Sequence, residues 1–339
     1  MKDPMQKWPR NLLKFRDAAL VFVACILLLW PLNGFSVDQE ALVLYDEGLR
    51  SAFLGDQEKA ISAFQSAVAI DGTLADAHAY LGILHGIRGY WKEAIQSFQA
   101  AIKTDPNYLE VYGELGEAYL NALGSVDKSI PLLQKAVHLH PNDERARRLL
   151  GIAYLRQNRI DESKIQLQQA LELNPTHPES IYNLGLACFR KGEFKAASLH
   201  FSHLLEDNPL HAQGYFNLGN CFVRTGNYAD AKKALLTFEK LRVQGEQIKQ
   251  LELMVRRRPR DPEGWRQLGL LHLERREWDT ATTALERCVA LNPEEDRCSE
   301  ALGYVYAQLK RYKKALQIYS RIVLRRPDMP EYRHSLGLV

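Results

Sequence analysis

Three arginines, Arg156, Arg190 and Arg224, stand 34 residues apart along the chain. A guanidinium is permanently charged and presents several donors in a planar fork, so a row of them suits carboxylates, either an acidic segment or a chain terminus. Asn183 and Asn217 repeat on the same interval, at one equivalent position in adjacent units. Tyr182 and Phe216 directly precede these asparagines and would add flat apolar surface. The competing reading is that the arginines are solvated charges at helix ends, where cations are mildly favoured. His200, His203 and His211 also lie close in sequence. No carboxylate or cysteine set stands beside them, so solvated helix residues describe them better than metal ligands. The sequence has no glycine-rich phosphate loop, GxSxG elbow, HExxH motif or paired Asp/Glu constellation. Neither catalysis nor a cofactor is expected.

The elements that must carry these residues follow from a glycine that recurs behind a leucine or similar residue. It stands at Gly48, Gly82, Gly116, Gly151, Gly185, Gly219, Gly269, Gly303 and Gly337, in steps of 34, 34, 35, 34, 34, 50, 34 and 34. A small residue follows most of these twelve positions later, at Ala60, Ala94, Ser163, Ala197, Ala231, Ala281 and Ala315, with Ser129 one position late in the third copy. Prolines at 106, 141, 175, 209, 293 and 327 then close the unit. Such a period marks a repeat architecture, each unit being two helices and a stop. Glycine on one helix and alanine on its partner let the backbones approach, and Phe64, Phe98, Leu167 and Phe201 fill the adjoining space. Proline ends each second helix because it lacks an N–H and clashes with the preceding turn. Aromatics nine residues after the glycine, Trp91, Phe194, Tyr228, Trp278 and Tyr312, read as helix-packing core.

The segments AYLGILHGIRGYWKEAIQSFQAAIKTDP (79–106) and YNLGLACFRKGEFKAASLHFSHLLEDNP (182–209) carry a leucine-glycine pair, a later alanine, a bulky residue and a proline. In this the sequence resembles the tetratricopeptide repeat (TPR) family from about residue 41 to residue 339. The resemblance implies an all-α TPR-type solenoid of about eight helix-turn-helix repeats in a right-handed superhelix. It also implies a non-catalytic array that holds a peptide or partner protein in a groove lined mainly by the first helix of each unit. On that basis Arg156, Arg190 and Arg224 fall near the groove-facing end of the first helices. With Tyr182, Asn183, Phe216 and Asn217 they form the candidate partner-binding set.

The 50-residue step between Gly219 and Gly269 breaks the period. Its excess lies around Arg242 to Pro259, where Ile248, Leu251 and Val255 keep helical spacing. This predicts either an elongated helix or an additional one. The expected organisation is a module of six repeats over 37–243, a helical insertion over 244–260, and a second module of two repeats plus a partial one over 261–339. Arg256, Arg257, Arg258 and Arg260 cluster in the insertion and read as a solvated helix end, or as contacts to an acidic partner or lipid headgroup. At the C-terminus Leu336, Leu338 and Val339 lack the polar cap that usually ends a solenoid.

Location is signalled by residues 1–36. Lys2, Lys7, Arg10, Lys14 and Arg16 precede an apolar stretch from Ala18 to Trp30, and Gly34 and Ser36 form a small-x-small pair before Val37. This is the layout of a signal peptide cleaved after Ser36, or of an uncleaved signal anchor extending to Phe35. Both place the repeats outside the cytoplasm, with membrane contact only through this segment. Cys25 does not fit a lipobox, since Phe22 replaces the expected leucine and the apolar run continues past the cysteine. Of the other cysteines, Cys188 and Cys221 read as buried thiols. Cys288 and Cys298, either side of Pro293, read as two small core residues or as a bridge. With 44 Lys+Arg against 41 Asp+Glu the charge is too balanced for nucleic acid to be the partner. The sequence thus points to an exported protein-binding scaffold whose partner is a protein or peptide, with acidic character where it meets the arginines. The alternative is a recruiting or regulatory arm for a separately encoded enzyme.

Overall fold

The computed structural model describes residues 37–122 and 124–327, and these form sixteen helices and no strand. The helices alternate as first and second members of successive repeats. The first four pairs are α1 (Val37–Phe53) with α2 (Gln57–Ile70), α3 (Ala75–Ile87) with α4 (Trp91–Thr104), α5 (Leu109–Ala122) with α6 (Val126–Leu139), and α7 (Glu144–Arg156) with α8 (Ile160–Leu173). Then come α9 (Pro178–Arg190), α10 (Phe194–Asp207), α11 (Ala212–Arg224), α12 (Tyr228–Arg257), α13 (Pro262–Glu274), α14 (Trp278–Leu291), α15 (Asp296–Gln308) and α16 (Tyr312–Arg325). The chain divides into two compact units, Met1–Ala187 and Cys188–Val339, the division falling within α9. The signal or anchor segment at 1–36 and the apolar C-terminal residues Leu336, Leu338 and Val339 lie outside the described residues. Among the described residues no helix is long and apolar enough to cross a membrane.

In the first unit the repeat glycine is a steric requirement. A Cβ placed on Gly48 would lie 2.6 Å from the Phe64 ring, and one on Gly151 would lie 2.6 Å from Leu167. The bulky residue stands sixteen positions after the glycine. In the third repeat, one residue longer, Leu133 stands seventeen after Gly116 and fills the same space. The shift of Ser129 has the same cause. Ser129 and Ser163 are fully buried, and each hydroxyl donates to the carbonyl of its repeat glycine, Gly116 at 2.8 Å and Gly151 at 2.7 Å. A hydroxyl is therefore tolerated where other repeats use alanine, because it brings its own partner. Neighbouring repeats are also stitched by polar bonds, from the Gln99 amide to the Tyr119 hydroxyl at 2.9 Å and from Gln134 to Tyr154 at 2.8 Å.

The second unit repeats this chemistry. Gly219 abuts Leu235, Gly269 abuts Leu285, and Gly303 abuts Tyr319. The Tyr306 hydroxyl bonds Glu286, in the same relation as the glutamine–tyrosine pairs of the first unit. The sixteen excess residues extend a second helix rather than adding one: α12 is a single helix of 30 residues. Its Ile248, Leu251 and Val255 pack with Trp265 and Leu268 of α13 and Ala284 of α14, so the helical spacing read in the sequence marks a real contact face.

One expectation needs correction. The aromatics nine residues after the glycine are not uniformly core, since Tyr228 is 70% and Tyr312 is 50% exposed. Each is the first residue of a second helix, beside the tight turn, where only one face of a ring can be covered.

Cys288 of α14 and Cys298 of α15 are bridged by a disulfide, with Cα atoms 6.2 Å apart, within the usual range. Cys188 and Cys221 are buried thiols. Burial first, and the neighbouring Cys188 second, push the Cys221 thiol up to about 11, so it stays protonated at neutral pH. Alkylation of denatured but unreduced protein should therefore label Cys188 and Cys221 and spare Cys288 and Cys298. Closing so short a loop constrains the unfolded chain by roughly 2–3 kcal/mol. A Cys288→Ser/Cys298→Ser double variant should lose about that much in urea titration, and full labelling of Cys288 and Cys298 would refute the bridge.

Candidate functional site

Each ladder arginine ends a first helix of its repeat. Arg156 occupies the last turn of α7, where its Nη1 donates to the Leu120 carbonyl of α5 at 2.6 Å. That carbonyl belongs to a helix C-terminus, where the last C=O groups have no partner within the helix and a cation is favoured. The side chain remains exposed. One donor is used for anchoring while the rest of the fork is still available. Asn183 lies on α9, and its amide donates to the Glu179 carbonyl of the same helix at 2.8 Å. Tyr182 beside it is half-buried.

In the second unit, Arg190 and Arg224 end α9 and α11 and both are exposed. The Arg224 guanidinium lies over the Phe194 ring, 4.9 Å from its centre, a cation–π contact that fixes the plane of the fork without using its N–H donors. Phe194 also meets Phe189 edge-on at 5.3 Å. An aromatic read from the sequence as packing core is thus the platform for a ladder arginine. Phe216 is half-buried and packs against Phe238 of α12, ring centres 5.1 Å apart. Asn217, next to it, is also half-buried.

A charged row on the first helices of the first unit escaped the sequence reading. Arg145 of α7 pairs with Glu114 and Glu117 of α5, and Arg148 pairs with Glu144 of its own helix and Glu179 of α9. The Ser180 hydroxyl adds a bond to Glu144 at 3.2 Å. These pairs tie first helix to first helix. The partners lie about one repeat apart, so a search for ion pairs at one repeat length would have been the only sequence signal. Among the described residues no group of three or more His, Cys, Asp or Glu side chains is placed to hold a metal ion. His211 is instead an N-cap, its Nδ1 accepting from the Gly214 N–H at 2.9 Å.

In both units, helix pairs closed by a glycine–bulky contact, at Gly48, Gly82, Gly116, Gly151, Gly219, Gly269 and Gly303, define a helical-repeat protein. The chain belongs to the tetratricopeptide repeat family. One model of that description matches residues 120–183, and a second matches residues 81–144, 192–237 and 255–330. A curated relative, Superkiller protein 3 of Saccharomyces cerevisiae (strain ATCC 204508 / S288c), is 37% identical over 62 residues, which is 18% of this chain and only 4% of that protein. Among solved structures, PilW, described as a widely conserved type IV pilus biogenesis factor, aligns with a TM-score of 0.50 and 18% identity over 58% of this chain and 90% of its own. Pseudomonas aeruginosa pilF aligns with a TM-score of 0.50 and 20% identity over 60% and 93%. YrrB, described as a TPR protein with an unusual peptide-binding site, aligns at 0.48 and 23% over 51% and 89%. The likenesses to PilW and pilF show the fold. Proteins of this family are generally non-catalytic scaffolds for protein–protein contact.

Proposed function

We propose that this chain is an exported scaffold that holds a peptide or partner protein against the first helices of its central repeats. The observation that carries the reading is the state of the ladder arginines. Arg156 is anchored by one bond to the Leu120 carbonyl and Arg224 by the Phe194 face. Each fork is held in place with donors to spare, and pre-organised donors lose less entropy when they meet a carboxylate. The partner surface most compatible with them is acidic.

Two features support a place outside the cytoplasm. The basic and apolar residues of 1–36 have the layout of an export signal or anchor, and the Cys288–Cys298 bridge suits an oxidising compartment. A reporter fused after Val339 that functions only when exported is expected to be active, whereas a fusion active solely in the cytoplasm would refute export. N-terminal sequencing then separates cleavage after Ser36 from retention.

The binding face is tested by a photo-crosslinking side chain placed at Asn183, at Asn217 or at Leu199. Leu199 lies on the second helix α10 and is 71% exposed. Adducts to a partner are expected from the two asparagine positions and not from Leu199. Adducts from Leu199 alone, or from none of the three, would overturn the proposal.

A further inference from the structure

The elongated helix α12 creates a groove that an unbroken 34-residue repeat would not have. Its last turns run along α13, and between them lies a cavity of about 520 Å³, within the roughly 300–1,000 Å³ typical of ligand pockets. Gln247, Gln250, Leu251 and Met254 line it from α12, and Gln267, Leu270, Leu271 and the carboxylate Glu274 from α13. The α12 residues fall at i, i+3, i+4 and i+7, one face of the helix. The Gln247 and Gln250 amides can each donate to and accept from a peptide backbone, and Gln267, whose amide nitrogen already donates to Glu263 at 2.7 Å, keeps its carbonyl oxygen as an acceptor, while Leu270, 38% exposed, and the half-buried Met254 leave apolar surface for a side chain.

The charge around this groove is one-sided. Glu274 at one end is paired with Lys240 at 2.8 Å, and Glu263 is paired with Arg266 at 2.6 Å. Asp261 is engaged as the N-cap of α13. At the other end, one turn beyond Met254, the same face of α12 reaches Arg257 and the cap residue Arg258. Arg256, Arg257, Arg258 and Arg260 are all exposed and make no ion pair with a described carboxylate, although Glu252 stands one helical turn before Arg256. Arg242, Arg266, Arg275 and Arg325 of this unit are paired, while Arg276, Arg287, Arg297 and Arg321 are exposed singly along their helices and turns, so what sets 256–260 apart is the clustering. Helix-end cations need no cluster of four, so the dipole alone does not account for them.

We infer that this groove is a second peptide site, one that takes an extended acidic segment with an apolar residue. The apolar side chain enters between Met254 and Leu270, the backbone runs along the three glutamines, and carboxylates reach Arg257 and Arg258. The inference rests on the reading of the chain as a peptide-holding scaffold but uses none of the ladder residues.

The test uses the full chain in neutral detergent and a fluorescent, terminally blocked peptide of alternating aspartate and leucine, read by anisotropy. The peptide should bind in a salt-sensitive manner, and its asparagine–leucine counterpart should bind about tenfold or more weakly. Arg257→Glu/Arg258→Glu and Leu270→Glu should each weaken binding by about tenfold or more. An acidic peptide also suits the ladder, so the groove is read in the triple ladder variant Arg156→Ala/Arg190→Ala/Arg224→Ala, where the binding that remains should still be weakened by Leu270→Glu. Equal binding by wild type and both groove variants would overturn the site, as would no binding at all. So would binding to vesicles of anionic lipid without binding to the peptide, which would make the cluster a membrane contact. Loss of peptide binding in the ladder variant alone would assign the peptide to the first-helix face and remove the second site. Because ladder and groove variants are read separately, the failure of either reading leaves the other visible.

Discussion

Phe64→Ala is expected to destabilise the N-terminal repeats by about 3–5 kcal/mol, the usual range for emptying a fully buried aromatic site. Phe64 has no exposed surface. Its ring stacks on Tyr80 at 5.3 Å with planes 5° apart and meets Tyr45 at 5.7 Å, so ring–ring contacts are lost along with buried area. A second substitution separates packing from general fragility. Gly48→Ala alone would push a Cβ to 2.6 Å from that ring and should cost about 1–3 kcal/mol as overpacking. In the Phe64→Ala background the clash partner is gone, and alanine's better helix propensity, about 1 kcal/mol over glycine, should make the same change neutral or stabilising. The two changes should therefore couple strongly, with a sign opposite to simple accumulation of damage. Stability in a repeat array is local, so hydrogen exchange should show the loss first in α1 to α4. Additive costs for the two substitutions would mean that glycine is required at position 48 for some reason other than Phe64.

That contact also shows why so much of the fold was legible. Glycine, the small residue twelve positions on and the bulky residue sixteen on all act within one helix pair, and the pair recurs, so a local steric rule appears many times in register. The one-residue delay at Ser129 was readable for the same reason, and its neighbour Leu133 obeys the same shift. What the rule does not contain is any polar partner from another repeat. The Leu120 carbonyl that holds Arg156 lies 36 residues earlier, and the glutamates that hold Arg145 lie 31 and 28 residues earlier. Such pairings depend on how one unit stacks on the next, which composition and periodicity leave open. The groove beside α12 was illegible for a related reason: spacing at Ile248, Leu251 and Val255 announces a packed face, but not that Gln247 and Gln250 beside it are left exposed. Phe194 was misread because its spacing matches core aromatics while its position at the turn leaves one face for Arg224.

Replacing Arg156, Arg190 and Arg224 together with alanine is expected to weaken an acidic partner of the first-helix face by about a hundredfold or more. Charge-assisted hydrogen bonds contribute roughly 1.5–3 kcal/mol each when well formed, and loss of any two already reaches that factor. The fold should suffer far less. Arg156 gives up its bond to the Leu120 carbonyl, worth about 1 kcal/mol at an exposed helix end, and Arg224 gives up a surface cation–π contact of about 0.5–1 kcal/mol. No buried apolar side chain is removed. The comparison is made on the partner recovered by crosslinking at Asn183 or Asn217, titrated against wild type and triple variant at low and high salt. A working ladder loses both affinity and salt dependence in the variant, because the screened charges are gone. Lysine at all three positions keeps the charge but not the planar fork, so it should restore the salt dependence while recovering only part of the affinity. Full recovery with lysine would show that the site reads net charge alone. Unchanged affinity in the alanine variant, with the helical content intact, would reduce Arg156 to a clamp on the end of α5 and Arg224 to a cover for Phe194, and the partner would then have to be held by Tyr182, Phe216 and the charged row at Arg145 and Arg148.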